Sequence, residues 1–119
     1  MHRLLIAEDV PVIAGYIENL ARDAGIEVVA IIDSIEGARA AASLSPDVAI
    51  IDLNLSDGFT GPMVAHELNH IRDTRVIYLT ANPELLPDTI HAHHRVLRKP
   101  LIAREVVDAL LGTAIEVTA

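Results

Sequence analysis

Cysteine is absent from the 119-residue chain, and Lys and Arg are few, 9 against 17 Asp and Glu, for a formal net charge of −8. Without thiols the chain has no disulfide staple, no thiolate catalysis and no Cys-based zinc site. A reducing, cytoplasmic setting is the default expectation. The longest basic run is Arg98-Lys99, so the electrostatic footprint of a nucleic-acid binder is missing and direct contact with nucleic acid is not expected. The N-terminus, MHRLLIAED, has one Arg and a short apolar stretch before two acids. That is too short for a signal peptide or a membrane span, and no membrane association is expected. Internal repeats, linkers and low-complexity tracts are lacking too. What remains is a chain 51% apolar, of a length that fits one domain, residues 1–119, with a real core.

Short aliphatic runs alternate with helix-like segments. LLIA (4–7), VVAII (28–32), VAII (48–51), VIYL (76–79) and the weaker VL (96–97) suit strands covered on both faces. In PVIAGYIENLARDAG the spacing places Val12, Ile13, Tyr16, Ile17 and Leu20 on one helical face, with Pro11 in the first turn and Gly25 at the end. Asp33 or Ser34 can cap a second, Ala-rich helix. Pro62 opens a third through Val64, Ala65 and Leu68, and REVVDALL (104–111) is amphipathic. In PELLPDTIHAH, Pro83 and Pro87 leave room for only a short fourth helix, starting near the second proline. The alternation implies a parallel sheet with right-handed crossovers and helices on both faces: a flavodoxin-like α/β fold with five strands in the order 2-1-3-4-5.

In such sheets ligands bind beyond the carboxyl ends of the strands. The residues there are Glu8 and Asp9 after strand one, Asp52 after strand three, Thr80 after strand four and Lys99-Pro100 after strand five. An aspartate at the end of a fully apolar strand needs a local reason, because a buried charge is expensive unless paired. A polar pocket with a cation and Lys99 supplies one. Three acids drawn together call for a hard cation, and an incomplete oxygen cage fits Mg²⁺, which keeps waters and takes phosphate oxygens. A carboxylate oxygen of Asp52 can then attack phosphorus to give an acyl phosphate, with Lys99 and the Thr80 hydroxyl holding the phosphoryl oxygens. Taken singly, each feature is bland: Glu8-Asp9 is a helix-capping pair, Asp52 a strand terminus, Thr80 a common strand residue and Lys99-Pro100 a turn.

LLIAEDVP, AIIDLNLSDGFTG, VIYLTA and VLRKP, in that order over essentially the whole chain, resemble the response-regulator receiver domain of two-component signalling. The resemblance implies that Asp52 is the phosphoacceptor and Asp9 a direct Mg²⁺ ligand. Glu8 would be an acid behind it, beyond the ion's direct ligands, and the backbone carbonyl of Asn54 a further ligand. Thr80 would be the switch hydroxyl and Lys99 the family's lysine, joined to Pro100 by a cis peptide. Asp57-Gly58 and Gly61 match the loop after the acceptor. It also implies a phosphohistidine donor, on a sensor histidine kinase or a histidine phosphotransfer protein. A downstream protein partner would meet the face of helix four, strand five and helix five, and a homodimer stays open. No enzymatic turnover is expected beyond self-catalysed phosphorylation and dephosphorylation, and no output domain is expected after helix five.

Two departures from the pattern stand out. Val96 occupies the place where many receivers have Tyr or Phe, and the segment after Thr80 is interrupted by prolines, as in an atypical subgroup with T-A-x-P-E-x-L. Signalling is therefore expected to use an ordering change in residues 81–95 together with Thr80. Arg98 reads as a solvated surface charge. His66 and His70 could share a helical face, and His91, His93 and His94 crowd one segment, but neither set has a ligand pattern with a nearby acid. The second set reads as a polar partner surface that is open to pH. An aspartyl-phosphate phosphatase of the haloacid-dehalogenase type is the enzymatic alternative, but Asn54 stands where a second catalytic acid is needed. A receiver-like interaction module that is never phosphorylated is the other.

Overall fold

The computed structural model describes residues 2–69 and 73–112. Five parallel strands, β1 (Arg3–Ala7), β2 (Glu27–Ile32), β3 (Val48–Asp52), β4 (Arg75–Thr80) and β5 (Arg95–Arg98), lie in the order β2-β1-β3-β4-β5. The helices are α1 (Pro11–Asp23), α2 (Ile35–Ala41), α3 (Gly61–Asn69), α4 (Asp88–His93) and α5 (Ala103–Leu111). Short 3₁₀ turns lie at Ala42–Leu44 and Pro83–Leu85. This is the flavodoxin-like α/β sandwich expected from the strand-helix alternation.

The strand pleat divides the core in two, because successive side chains point to opposite faces. Leu4, Ile6, Val48, Ile50, Ile77 and Leu79 face α1 and α5. Leu5, Ala7, Ala49, Ile51, Val76 and Tyr78 face α2 and α3. All five residues of β3 are buried. A strand covered on both faces can be aliphatic throughout, and each fully buried Ile or Leu contributes roughly 1.5–3 kcal/mol. The edge strands β2 and β5 are only half covered.

Local chemistry sets the helix ends. Pro11 opens α1, and Gly25, at φ +79, closes it while the Ile26 N–H returns to the Ala21 carbonyl at 2.9 Å. Ser34 caps α2, its hydroxyl accepting from Gly37 N at 3.0 Å. The face of α1 differs from the hydrophobic reading. Ala14, Ile17 and Ala21 meet the sheet, with Ile13 and Leu20 beside them, whereas Val12 is 81% and Tyr16 41% exposed. Small alanines let the helix approach the sheet closely, and a hydrophobicity stripe gives them too little weight. Among the described residues no helix is long and apolar enough to cross a membrane. His70 and the tail after Gly112, both part of the sequence reading, lie outside the described residues.

Arg75 ties the start of β4 to the far end of α5. Its Nη1 and Nη2 donate to the carbonyls of Ala109 and Leu110, each at 2.6 Å, and Gly112 leaves the helix at φ +71. These are last-turn carbonyls, where the helix leaves acceptors over, and Ala109 O also accepts from the Gly112 N–H at 3.2 Å. Arg75→Met keeps the aliphatic stem and is expected to lower unfolding stability by about 1–2 kcal/mol. Urea unfolding would show this as a lower midpoint at unchanged slope, and an unchanged midpoint would show that water serves the two carbonyls equally well.

Candidate functional site

Three strand ends converge at the carboxyl edge of the sheet. β3 delivers Asp52, 6% exposed; β1 runs into Glu8, 3% exposed, and the exposed Asp9; β5 leads into Lys99. The Lys99 ammonium hydrogen-bonds Asp52 Oδ2 and lies 2.8 Å from Glu8 Oε1. The other oxygens are held by backbone: Asn54 N–H donates to Asp52 Oδ1 at 3.0 Å and Val10 N–H to Glu8 Oε2 at 3.2 Å. The Lys99–Pro100 peptide is cis, as the resemblance implied.

The electrostatics are those of a site short of positive charge. Burial raises the Glu8 pKa above the ordinary carboxylate value, opposed by Lys99 and the Val10 N–H and reinforced by the charge of Asp52. Burial works against the Lys99 ammonium, yet the Asp52 and Glu8 carboxylates outweigh it and leave its pKa above the usual lysine value. One oxygen each from Glu8, Asp9 and Asp52 lies within 4.8 Å of the others. Like charges at such separations repel by roughly 3–4 kcal/mol per pair at an effective dielectric of about 20. Lys99 offsets only part of this. Glu8 Oε1 is enclosed and receives no directed hydrogen bond. An all-oxygen donor set with excess negative charge and one exposed acid fits a hard divalent cation that keeps water ligands.

The loop after Asp52 is fastened to the β2–α2 connection. Ser56 donates to Asp33 O through its N–H (3.1 Å) and its hydroxyl (2.8 Å), and Asp57 Oδ2 accepts from Ile35 N at 3.0 Å. Asp57 Oδ1 accepts from the Thr60 hydroxyl, and this bond, followed by that from Ile35, holds the Asp57 carboxyl below its ordinary pKa. Gly58 makes the turn at φ +107. Gly61 is needed for a different reason: a Cβ there would sit 2.6 Å from Asp52 O and 2.8 Å from Leu53 Cα.

Thr80 ends β4, 8% exposed, its Oγ1 accepting from Asn82 N at 3.1 Å. The segment beyond it is held from β5. Arg98 Nη2 donates to Glu84 Oε2 at 2.9 Å and Nη1 to Ala81 O at 3.3 Å, so Arg98 is not the simple solvated charge its sequence context suggested. His91 Nε2 lies 2.8 Å from Pro83 O. His94 packs edge-on against Tyr78, ring centroids 5.2 Å apart, and burial, then His93, lowers its pKa. Of the expected site residues, Glu8, Asp9, Asp52 and Lys99 are brought together, with Asn54 alongside through its N–H. The Thr80 hydroxyl is engaged with Asn82 instead. His66 lies on α3, whereas His91 and His93 lie on α4 and His94 caps its C-terminal end.

The chain matches the response regulator receiver domain family over residues 4–111. It is 35% identical over 83 residues to the DNA-binding dual master transcriptional regulator RpaA of Synechocystis, a match covering 68% of this chain and 34% of that protein. The response regulator PhyR from Brucella abortus superposes with a TM-score of 0.82 at 33% identity, over 95% of this chain and 47% of PhyR. The receiver domain of PhyR from Erythrobacter litoralis gives 0.81 at 27% identity, over 99% of this chain and 95% of the domain. The chain thus spans less than half of the two longer proteins.

Gly61→Ala has no inexpensive relaxation, because the atoms it meets are the backbone of Asp52 and Leu53. The variant is expected to lose about 1–3 kcal/mol of stability and to shift the backbone amide resonances of residues 52–54. Wild-type stability with unmoved resonances would contradict this close approach.

Proposed function

The chain belongs to the response-regulator receiver domain family, signalling domains of two-component systems, and from that premise we propose that it is a phosphoacceptor. Asp52 takes a phosphoryl group from a phosphohistidine of a sensor histidine kinase or histidine phosphotransfer protein, and the altered surface is the output. The observation that carries this reading is the Lys99 ammonium joined to Asp52 and Glu8 at the converging strand ends. It supports Asp52 as the acceptor and Lys99 as a phosphoryl-binding group, and the clustering of Glu8, Asp9 and Asp52 supports Asp9 and Asp52 as Mg²⁺ ligands with Glu8 behind them; the Asn54 carbonyl as a further ligand and Thr80 as a second phosphoryl-binding group follow from the family pattern.

The chemistry balances without a separate base. A carboxylate oxygen of Asp52, oriented by the Asn54 N–H and Lys99, attacks phosphorus and forms the acyl O–P bond. The N–P bond of the donor breaks, and its electron pair leaves on the imidazole, which takes up a proton. Lys99 then neutralises a phosphoryl oxygen, and the Thr80 hydroxyl donates a hydrogen bond to another. Mg²⁺, when bound, supplies the charge neutralisation that phosphoryl transfer depends on. Beside Lys99, the side chains of Val12, Ile13, Tyr16, Pro100 and Leu101 line an apolar cavity of about 250 Å³. This offers a seat for the protein that carries the phosphohistidine. The face of α4, β5 and α5 is the proposed seat of a downstream protein partner. The DNA-binding activity in RpaA's name is not carried over, given the net charge of −8 and the 34% coverage.

Incubated with Mg²⁺ and acetyl phosphate, the wild type is expected to gain one phosphoryl mass in intact-mass spectra and Asp52→Ala none. No gain in a folded wild type would favour an unphosphorylated interaction module. Free Mg²⁺ at about tenfold its Kd is expected to stabilise the wild type by about 1.4 kcal/mol, and Asp9→Ala to abolish the thermal shift at the same concentration. An equal shift in both proteins would remove Asp9 from the metal site.

A further inference from the structure

Arg98 and Lys99 are neighbours in sequence but serve different groups. Lys99 turns into the acid pocket, while Arg98 reaches out to Ala81 O and the Glu84 carboxylate. The stretch from Thr80 to the first turn after β4 is thereby fastened at three points: Thr80 Oγ1 on Asn82 N–H, Arg98 on Ala81 and Glu84, and His91 on Pro83 O. Two of these fix the residues directly beside Thr80. Turning the Thr80 hydroxyl toward a phosphoryl group on Asp52 takes Oγ1 away from Asn82 N–H and removes one of the fastenings of the stretch that Arg98 also holds. Val96 is a half-buried aliphatic packed against the α2–α3 core. It carries no ring, and the side-chain hydrogen bonds from β5 to this segment come from Arg98, beside the backbone bond from Lys99 N to Thr80 O at 2.9 Å.

We infer that Arg98 and Glu84 form a clasp that restrains Thr80 in the unphosphorylated state, making both positioning residues for phosphorylation of Asp52. The inference rests on the phosphoacceptor reading proposed above. Both side chains of the pair are more than half exposed, at 58% and 57%. The clasp is therefore weak by construction: an exposed pair shifts an equilibrium by at most about fivefold, and salt screens it. A weak restraint next to the reacting groups is suited to release by one phosphoryl group. Neither residue lies in the core or among the acids of the pocket, so both can be replaced without unfolding the chain.

The test is the rate of Mg²⁺-dependent phosphorylation by acetyl phosphate, followed by intact mass, for wild type, Glu84→Gln, Arg98→Ala and the double variant at low and high NaCl. The clasp predicts a two- to fivefold acceleration in each single variant, no further gain in the double variant, and a salt-induced acceleration in the wild type alone. The signs discriminate. Glu84→Gln removes a negative charge and Arg98→Ala a positive one, so a simple field effect on the anionic donor would speed the first and slow the second. Opposite signs, additive gains or unchanged rates in a chain that is phosphorylated would overturn the clasp and leave the acceptor reading standing. A wild type that gains no phosphoryl mass would overturn both.

Discussion

The ammonium of Lys99 between the carboxylates of Asp52 and Glu8 is the interaction on which the site depends. Each acid comes from the end of a central strand buried on both sides, where an unpaired charge would be driven to protonate. Lys99 comes from the end of the edge strand β5, two places from β3 and three from β1, so the order β2-β1-β3-β4-β5 leaves it to reach back along the sheet edge to both acids. The pairing is incomplete by design of charge: one lysine faces three acids. That imbalance makes the pocket a receptor for more positive charge, and it lets Lys99 be shared with an incoming anion rather than being consumed by structure.

Rigidity and freedom are distributed accordingly. On one side of Asp52 the connection to α3 is tied down by Ser56 and Asp57 and allows no Cβ at Gly61. On the other, the connection from Thr80 to α4 runs through exposed residues, a 3₁₀ turn and a six-residue helix with no buried member. Such a segment, with few buried apolar contacts, opens at low free energy. A charge appearing at Asp52 would therefore be met by a fixed wall at β3 and a movable one at β4. The direction of any response follows from that asymmetry, and it leads toward α4, β5 and the helix beyond.

Much of this was legible in the chain. Apolar runs of strand length separated by helix-length segments led to the topology, and the residue after each run led to Glu8, Asp9, Asp52 and Lys99, because strand ends and site residues coincide in this architecture. What escaped had physical reasons. Ala14 and Ala21 carry the sheet-facing side of α1 because closeness matters there more than hydrophobicity, which left Val12 and Tyr16 outside. Arg98 looked solvated because its partner Glu84 is 14 positions earlier, across a turn with no periodicity to announce the contact. The backbone pressed against Gly61 is likewise tertiary information: the glycine was visible, but the reason for it was not.

The central claim, that the carboxylate at the end of β3 forms an acyl phosphate, can be read as a chemical change at one residue. Chain treated with Mg²⁺ and acetyl phosphate, then reduced with borohydride, would be digested and mapped by tandem mass spectrometry. Reduction turns an aspartyl phosphate into homoserine. The account predicts homoserine at position 52 and nowhere else. Homoserine at another aspartate, or none despite a measured phosphoryl gain, would contradict it.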